Sequence, residues 1–226
     1  MIIGGGMHAR IILDIARAID IPVAGFLDDF QQIGTRIGDR TAIGSTQRLG
    51  DPNFLVRHRF FVAIGNNLAR RGLANRVRQA GGQTETLIYP GCFVSPTAHV
   101  GSGTVLVGGN MVFACAKVAE DVLVDPDTTI GADSVVEDGT YLSPGCHLAS
   151  GVICREESFL GLGAVVVPNI TIGRRAIVGA GAVVIRDIPD GKLAVGNPAK
   201  VIGEARLDDF SPYPARSRRP ADTRRT

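Results

Sequence analysis

The residues able to do chemistry are few, and the first group opens the chain. Gly4-Gly5-Gly6-Met7-His8-Ala9 follows the apolar Met1-Ile2-Ile3 and has the spacing G-x-G-x-x-A. That spacing suits a strand-to-helix turn whose bare backbone N–H groups approach a phosphate, with the positive end of the next helix behind them. His8 and Arg10 flank the turn and are placed to add charge-assisted contacts to phosphate. Asp28 falls about twenty residues on, where such a turn finds the acid that holds a ribose. The four histidines are His8, His58, His99 and His147, and the four cysteines, Cys92, Cys115, Cys146 and Cys154, have no C-x-x-C pair. Free thiols of a cytoplasmic protein are the expectation, rather than disulfides or a zinc site.

The elements that must position these groups differ between the two halves. Up to about residue 90, strand-like and helix-like segments alternate. Val23–Leu27 and Arg59–Ile64 read as strands, Ala9–Ile19 as an apolar-striped helix, and Leu68–Ala80 as a helix with a basic face that stops at Gly81-Gly82. This is βαβ-type sequence and implies a small parallel sheet. It is too short for a full dinucleotide fold, so a mononucleotide or the phosphates of a nucleotide sugar fit better than NAD. Redox chemistry would rest on the glycine turn alone.

From Val94 to Val184 an aliphatic residue recurs at every sixth position: Val94, Val100, Leu106, Val112, Val118, Val124, Ile130, Val136, Leu142, Leu148, Cys154, Leu160, Val166, Ile172, Val178, Val184. Only Cys154 departs from Val, Leu or Ile. A period of six belongs to a parallel β-helix, with one short strand and one corner per hexapeptide. Small residues four positions on, among them Thr104, Ala116, Ser134, Cys146 and Ala182, suit tight corners. Eighteen residues make one coil, and about five coils at roughly 4.8 Å each make a prism on the order of 25 Å tall. His99 and His147 are forty-eight residues apart, not a multiple of eighteen, so they stand on different faces and make no zinc ligand set within one chain.

The 226 residues are 45% hydrophobic but only 5% aromatic, without tryptophan, which fits a core of small aliphatic layers. A net charge of +2 gives no reason to expect nucleic acid as a partner. No signal peptide or membrane span is apparent, and a cytoplasmic location is expected. Arg206, Arg216, Arg218, Arg219, Arg224 and Arg225, with three prolines, mark residues 203–226 as a disordered, mildly basic tail.

Further motifs fix a resemblance over residues 1 to about 202. They are Phe26-Leu27-Asp28-Asp29, Ala63-Ile64-Gly65-Asn66-Asn67, Ser143-Pro144-Gly145, Val167-Pro168-Asn169-Ile170-Thr171-Ile172-Gly173, Val178-Gly179-Ala180-Gly181-Ala182 and Val195-Gly196-Asn197-Pro198-Ala199-Lys200. With the glycine turn, they resemble the hexapeptide-repeat acyltransferases of sugars, in the branch of sialic acid O-acetyltransferases and nucleotide-aminosugar N-acetyltransferases. The resemblance implies an α/β, half-Rossmann-like domain over residues 1–90 that binds a nucleotide sugar, followed by a left-handed parallel β-helix acyltransferase domain over 91–202. It also implies acetyl-CoA as cosubstrate, no metal, and a homotrimer with sites between neighbouring prisms. The off-column apolar residues Met111, Phe113, Leu123 and Val135 are expected on a face that seeks a partner. By position, Ala149, Ser150, Ala164, Gly179 and Ala180 would line the pantetheine arm through backbone groups, and Arg174, Arg175 and Lys200 would meet phosphates. Gly6, His8, Arg10, Asp28, Asp29, Gly65 and Asn66 would hold the acceptor's nucleotide.

One departure bears on mechanism. Counted back from Ser143-Pro144-Gly145, the family's catalytic histidine falls on Ala132, with Asp133 after it, and a second common histidine falls on Tyr141. His147 is a possible replacement, and Asp133, Glu137 and Tyr141 are weaker ones. An alcohol needs a base before it attacks, whereas a neutral amine carries its own lone pair. The expectation is therefore N-acylation of an aminosugar. A non-catalytic sugar-nucleotide or CoA-binding scaffold and a sialic-acid-type O-acetyltransferase are the alternatives.

Overall fold

The computed structural model describes residues 1–206, so the tail from residue 207 lies outside the described residues. The amino-terminal domain carries a six-stranded sheet. Its elements are β1 (Ile2–Ile3), α1 (Met7–Ala18), β2 (Phe26–Leu27), β3 (Arg36–Ile37), β4 (Arg40–Gly44), α2 (Pro52–Val56), β5 (Arg59–Val62), α3 (Asn67–Gln79) and β6 (Gln83–Thr84). The strand order is β3-β4-β2-β1-β5-β6, parallel except for the β3–β4 hairpin. The chain winds outward from β1 through β2 and β4, then returns to add β5 on the other side of β1. The sheet therefore has its switch point between β1 and β5, where ligands of open α/β sheets bind outside the carboxyl ends.

The rest is a left-handed β-helix of three parallel faces. The first coil starts at Leu87–Ile88, a few residues before the expected boundary. The first face stacks Leu87–Ile88, Val105–Leu106, Leu123–Val124, Tyr141–Leu142, Phe159–Leu160, Ile177–Val178 and Lys192–Val195. Thr129–Ile130 and His147–Leu148 belong to the second face, and His99–Val100 and Val135–Val136 to the third. The period-six aliphatic residues point inward, and from Leu106 onward they are fully buried. The small corner residues also face in. Thr104, Thr128, Ser134 and Thr140 donate their hydroxyls to carbonyls fifteen residues on, which binds coil to coil. Asp127, Asp133 and Asn169 hold corner positions with φ near +59°, a left-handed conformation their short polar side chains tolerate. An antiparallel strand, Lys200–Glu204, closes the first face, so the last β-element takes two residues of the expected tail. All four cysteines are free.

The two domains share a core. The outward column of the first face, Leu87, Val105, Leu123, Tyr141, Phe159 and Ile177, packs against Ile12, Ala16, Val23 and Phe61. This corrects one expectation: Leu123 is 3% exposed and faces the amino-terminal domain, not a second subunit. Met111 and Phe113 are exposed near the second face, beside Phe93, whose ring lies 6.0 Å from that of Phe113. Val135 stands apart from them on the third face.

Candidate active site

The carboxyl ends of β1, β2 and β5 lie side by side at the switch point. Gly4 adopts φ +100°, and a Cβ there would stand 2.9 Å from Ile64 and 3.1 Å from the Ala63 carbonyl, so only glycine lets the β1 turn lie this close to β5. Gly6 caps α1 with no side chain over the helix end. Asp28 braces the turn: Oδ2 accepts from Gly5 N–H at 2.5 Å, and Oδ1 accepts from Phe30 and Gln31 N–H at 2.8 and 3.0 Å. Asp29 is tied to Thr46 through its backbone N–H and its hydroxyl. Both acids are structural before they meet a ligand, though a carboxylate keeps lone pairs for a ribose hydroxyl. Arg10 is exposed on the first turn of α1. Asn66 caps α3 by accepting from Ala69 N–H at 3.0 Å.

His8 is 9% exposed and faces the prism. Its ring packs on Gly65, where a Cβ would come within 2.9 Å of Cε1. Its Nε2 lies 3.3 Å from the Tyr141 hydroxyl on the prism, which donates to Asp125 Oδ2 at 2.7 Å. Burial, and then the nearby Arg70 charge, lower the His8 pKa to about 4, so the ring is neutral near pH 7 and offers phosphate no charge. Burial pushes the Asp125 carboxyl upward, against the pull of Tyr141 and Arg70. Its Oδ1 has no hydrogen-bond partner among the described residues.

Arg70 of α3, 2% exposed, locks this arrangement. It donates to the carbonyls of Asp121, Ile64, Gly65, Gly139 and Thr140 and to Asn67 Oδ1, and its guanidinium lies 5.9 Å from the Tyr141 ring centre. Arg71 pairs with Asp138 and Glu157, and Arg78 with Asp121. The basic face of this helix is thus a clamp on the prism rather than a solvated surface. No spacing signal in the sequence announced it, nor the part played by Asp125.

The alternative candidates for a base on the prism lie at separate places on one chain. Tyr141 is buried on the first face, His147 is exposed on the second with Nδ1 3.2 Å from Thr129 Oγ1, and Asp133 is exposed at the corner between the second and third. The cofactor candidates also divide. Ala149 and Ser150 follow a strand of the second face, whereas Ala164, Gly179 and Ala180 follow strands of the first. The Ala164 side chain is fully buried in the prism, so it has only backbone to offer a ligand. Arg174 and Arg175 stand at the third corner, where Arg175 Nε is ion-paired to Glu157 at 2.6 Å and the rest of the guanidinium is half exposed. Lys200 is exposed on the closing strand. A hexapeptide count advances one edge per six residues, so groups six or twelve residues out of step with the eighteen-residue coil land on different edges of the prism.

A parallel β-helix with a small parallel α/β domain docked on one face defines a class of two-module hexapeptide-repeat proteins. Residues 1–77 match the PglD N-terminal domain, and residues 124–154 and 156–186 match the hexapeptide repeat of succinyl-transferase. Among solved structures, a perosamine N-acetyltransferase variant from Caulobacter crescentus in complex with CoA and GDP-perosamine is 35% identical, over 90% of this chain and 96% of that one, with a TM-score of 0.85. The acetyltransferase domain of PglB from Neisseria gonorrhoeae FA1090 in complex with acetyl coenzyme A is 33% identical, over 89% of this chain and 97% of that one, with a TM-score of 0.83. UDP-N-acetylbacillosamine N-acetyltransferase of Bacillus subtilis (strain 168) is 36% identical over 112 residues, 47% of this chain, and that match spans half of the Bacillus protein. The chain belongs to the hexapeptide-repeat family of sugar acetyltransferases.

Proposed function

We propose that this protein transfers the acetyl group of acetyl-CoA to an amino group of a nucleotide-linked sugar. One observation carries the reading: the switch-point end of the sheet is docked on the prism through His8, Tyr141 and Asp125, so the glycine turn and a β-helix face meet at one place. The relatives that bind CoA, and in one case GDP-perosamine, support the same pairing of ligands. Residues 1–90 hold the nucleotide, with Gly6, Arg10 and the turns at Asp28, Asp29, Gly65 and Asn66 around it, and the prism carries the cofactor. The pantetheine arm lies between two prisms of a trimer, which unites the Ala149–Ser150 edge of one subunit with the Gly179–Ala180 edge of its neighbour. The protein works in the cytoplasm, and among the described residues no helix is long and apolar enough to cross a membrane.

In the reaction a neutral amine attacks the thioester carbonyl, a C–N bond forms, the C–S bond breaks and the amine's proton ends on solvent or the departing thiolate. With Ala132 at the family's histidine position, positioning of the two substrates supplies the rate, worth roughly 7–11 kcal/mol where geometry is favourable. A backbone N–H stabilises the developing oxyanion. Gly151 N–H already donates to the Ala132 carbonyl at 2.9 Å, which leaves that of Ser150 for the task. The test is mass spectrometry of nucleotide aminosugars incubated with the protein and acetyl-CoA. A gain of one acetyl group on the amine supports the reading. Ala132 itself favours a second reading, a scaffold that binds both ligands. Retention of CoA and a nucleotide sugar without turnover on any aminosugar would select it.

A further inference from the structure

The turn after β2 is ordered by its own backbone. Asp28 holds Phe30 and Gln31, Thr35 N–H donates to the Gln32 carbonyl at 3.0 Å, and Gly34 N–H donates to the Ala42 carbonyl at 2.8 Å. Yet this pinned turn presents Phe30 to solvent at 96% exposure, more than any other large apolar side chain of the described residues, with Ile33 beside it at 77%. Fixing an apolar ring in water contributes nothing to the fold of the free protein.

Its place gives it a use. The carboxylate that holds Phe30 also holds Gly5 of the phosphate turn, and Gln31 Cγ lies 3.2 Å from where a Gly5 Cβ would stand. A nucleotide bound at the switch point rests its phosphates on the N-terminus of α1 and its ribose near the acid after β2. Ribose joins phosphate to base, so the base then lies beyond Asp28, over the turn that carries Phe30.

We propose that Phe30 is the platform on which the nucleobase of the acceptor, a nucleoside-diphosphate sugar, stacks. The proposal rests on the nucleotide-linked acceptor of the preceding reading. Every base has a π-face, so stacking of this kind raises affinity without choosing the base. Phe30 therefore sets how tightly the nucleotide is held, and polar groups elsewhere select purine or pyrimidine.

The chain has no tryptophan, so Phe30→Trp installs a single fluorescent reporter. In the full-length protein, UDP and GDP should each quench it saturably. Calorimetry should show Phe30→Ala weakening UDP and GDP alike by about 5- to 150-fold, the equivalent of about 1–3 kcal/mol of base–aromatic stacking, with Phe30→Tyr close to the parent and CoA affinity unchanged. Phe30→Ala binding both diphosphates as tightly as the parent would overturn the proposal. So would a smaller particle mass of Phe30→Ala in light scattering, which would assign the ring to a subunit contact. A parent protein that retains CoA but binds neither diphosphate would instead remove the nucleotide-acceptor reading, and this proposal with it.

Discussion

Ala132 and His147 pose the mechanistic question at the scale of single residues. Ala132 stands at a prism corner with Ser150 one coil above it, while His147 is exposed on the second face against Thr129. A general base contributes roughly 10²–10⁴-fold. With an amine acceptor and saturating acetyl-CoA, His147→Ala should change kcat by less than about tenfold, and the rate should rise with pH only as the amine loses its proton. A loss of a hundredfold or more would make His147 the base. His8 has a different consequence, for stability. Its folded pKa of about 4 lies below the unfolded value near 6.5, so the unfolded chain takes up the proton first as pH falls. The stability from the neutral ring is therefore complete above pH 6.5 and erodes between 6.5 and 4, by up to about 3 kcal/mol. The raised pKa of Asp125 acts with the opposite sign and offsets part of that loss. His8→Gln should flatten the pH dependence of the urea midpoint across this window. Equal slopes in parent and variant would show that the imidazole is not the titrating group.

At the scale of elements, α3 decides how the two modules sit. Arg70 replaces solvent for five backbone carbonyls that the junction buries, and only a planar, branched cation reaches them all. Arg70→Met keeps the stem but strands those carbonyls, and it should lower unfolding stability by about 3 kcal/mol or more in urea titrations. Arg70→Lys should recover less than half, since an ammonium cannot fork. A loss below about 1 kcal/mol for Arg70→Met would show that water reaches the carbonyls instead. The prism was legible before any coordinates, because a period of six has one structural meaning and each corner repeats it. The glycine turn was legible too, since Gly4 meets a steric demand that no other residue satisfies. The clamp was not. Arg70, Arg71 and Arg78 carry the same charges a solvated helix face would, and their partners are backbone carbonyls and corner acids of another module. The hairpin β3–β4 and α2 were missed for a related reason: they are short, and tertiary packing rather than periodicity holds them. Leu123 was misread because an outward position can be covered by its own chain as well as by a second subunit.

At the scale of the whole molecule, the proposed reaction calls for more than one chain. The candidate pantetheine residues divide between two edges of one prism, and a ligand touching both edges needs two copies side by side. Phe93, Met111 and Phe113 remain 49%, 41% and 36% exposed, a cluster on the second face that the amino-terminal domain does not cover. Burying such a cluster at roughly 25 cal/mol per Å² favours association, although ordering the partners takes back much of the gain. Light scattering of the full-length protein at micromolar concentration should therefore give three times the 23.8 kDa chain mass. Replacing Met111 and Phe113 with Glu should shift the mass toward one chain and weaken CoA binding in step, since both depend on the same seam. The amino-terminal domain would be untouched, so nucleotide binding should persist in the dissociated variant. A parent protein that stays monomeric at that concentration yet binds CoA tightly would remove the between-prism groove, and the cofactor would have to lie along one edge of a single prism.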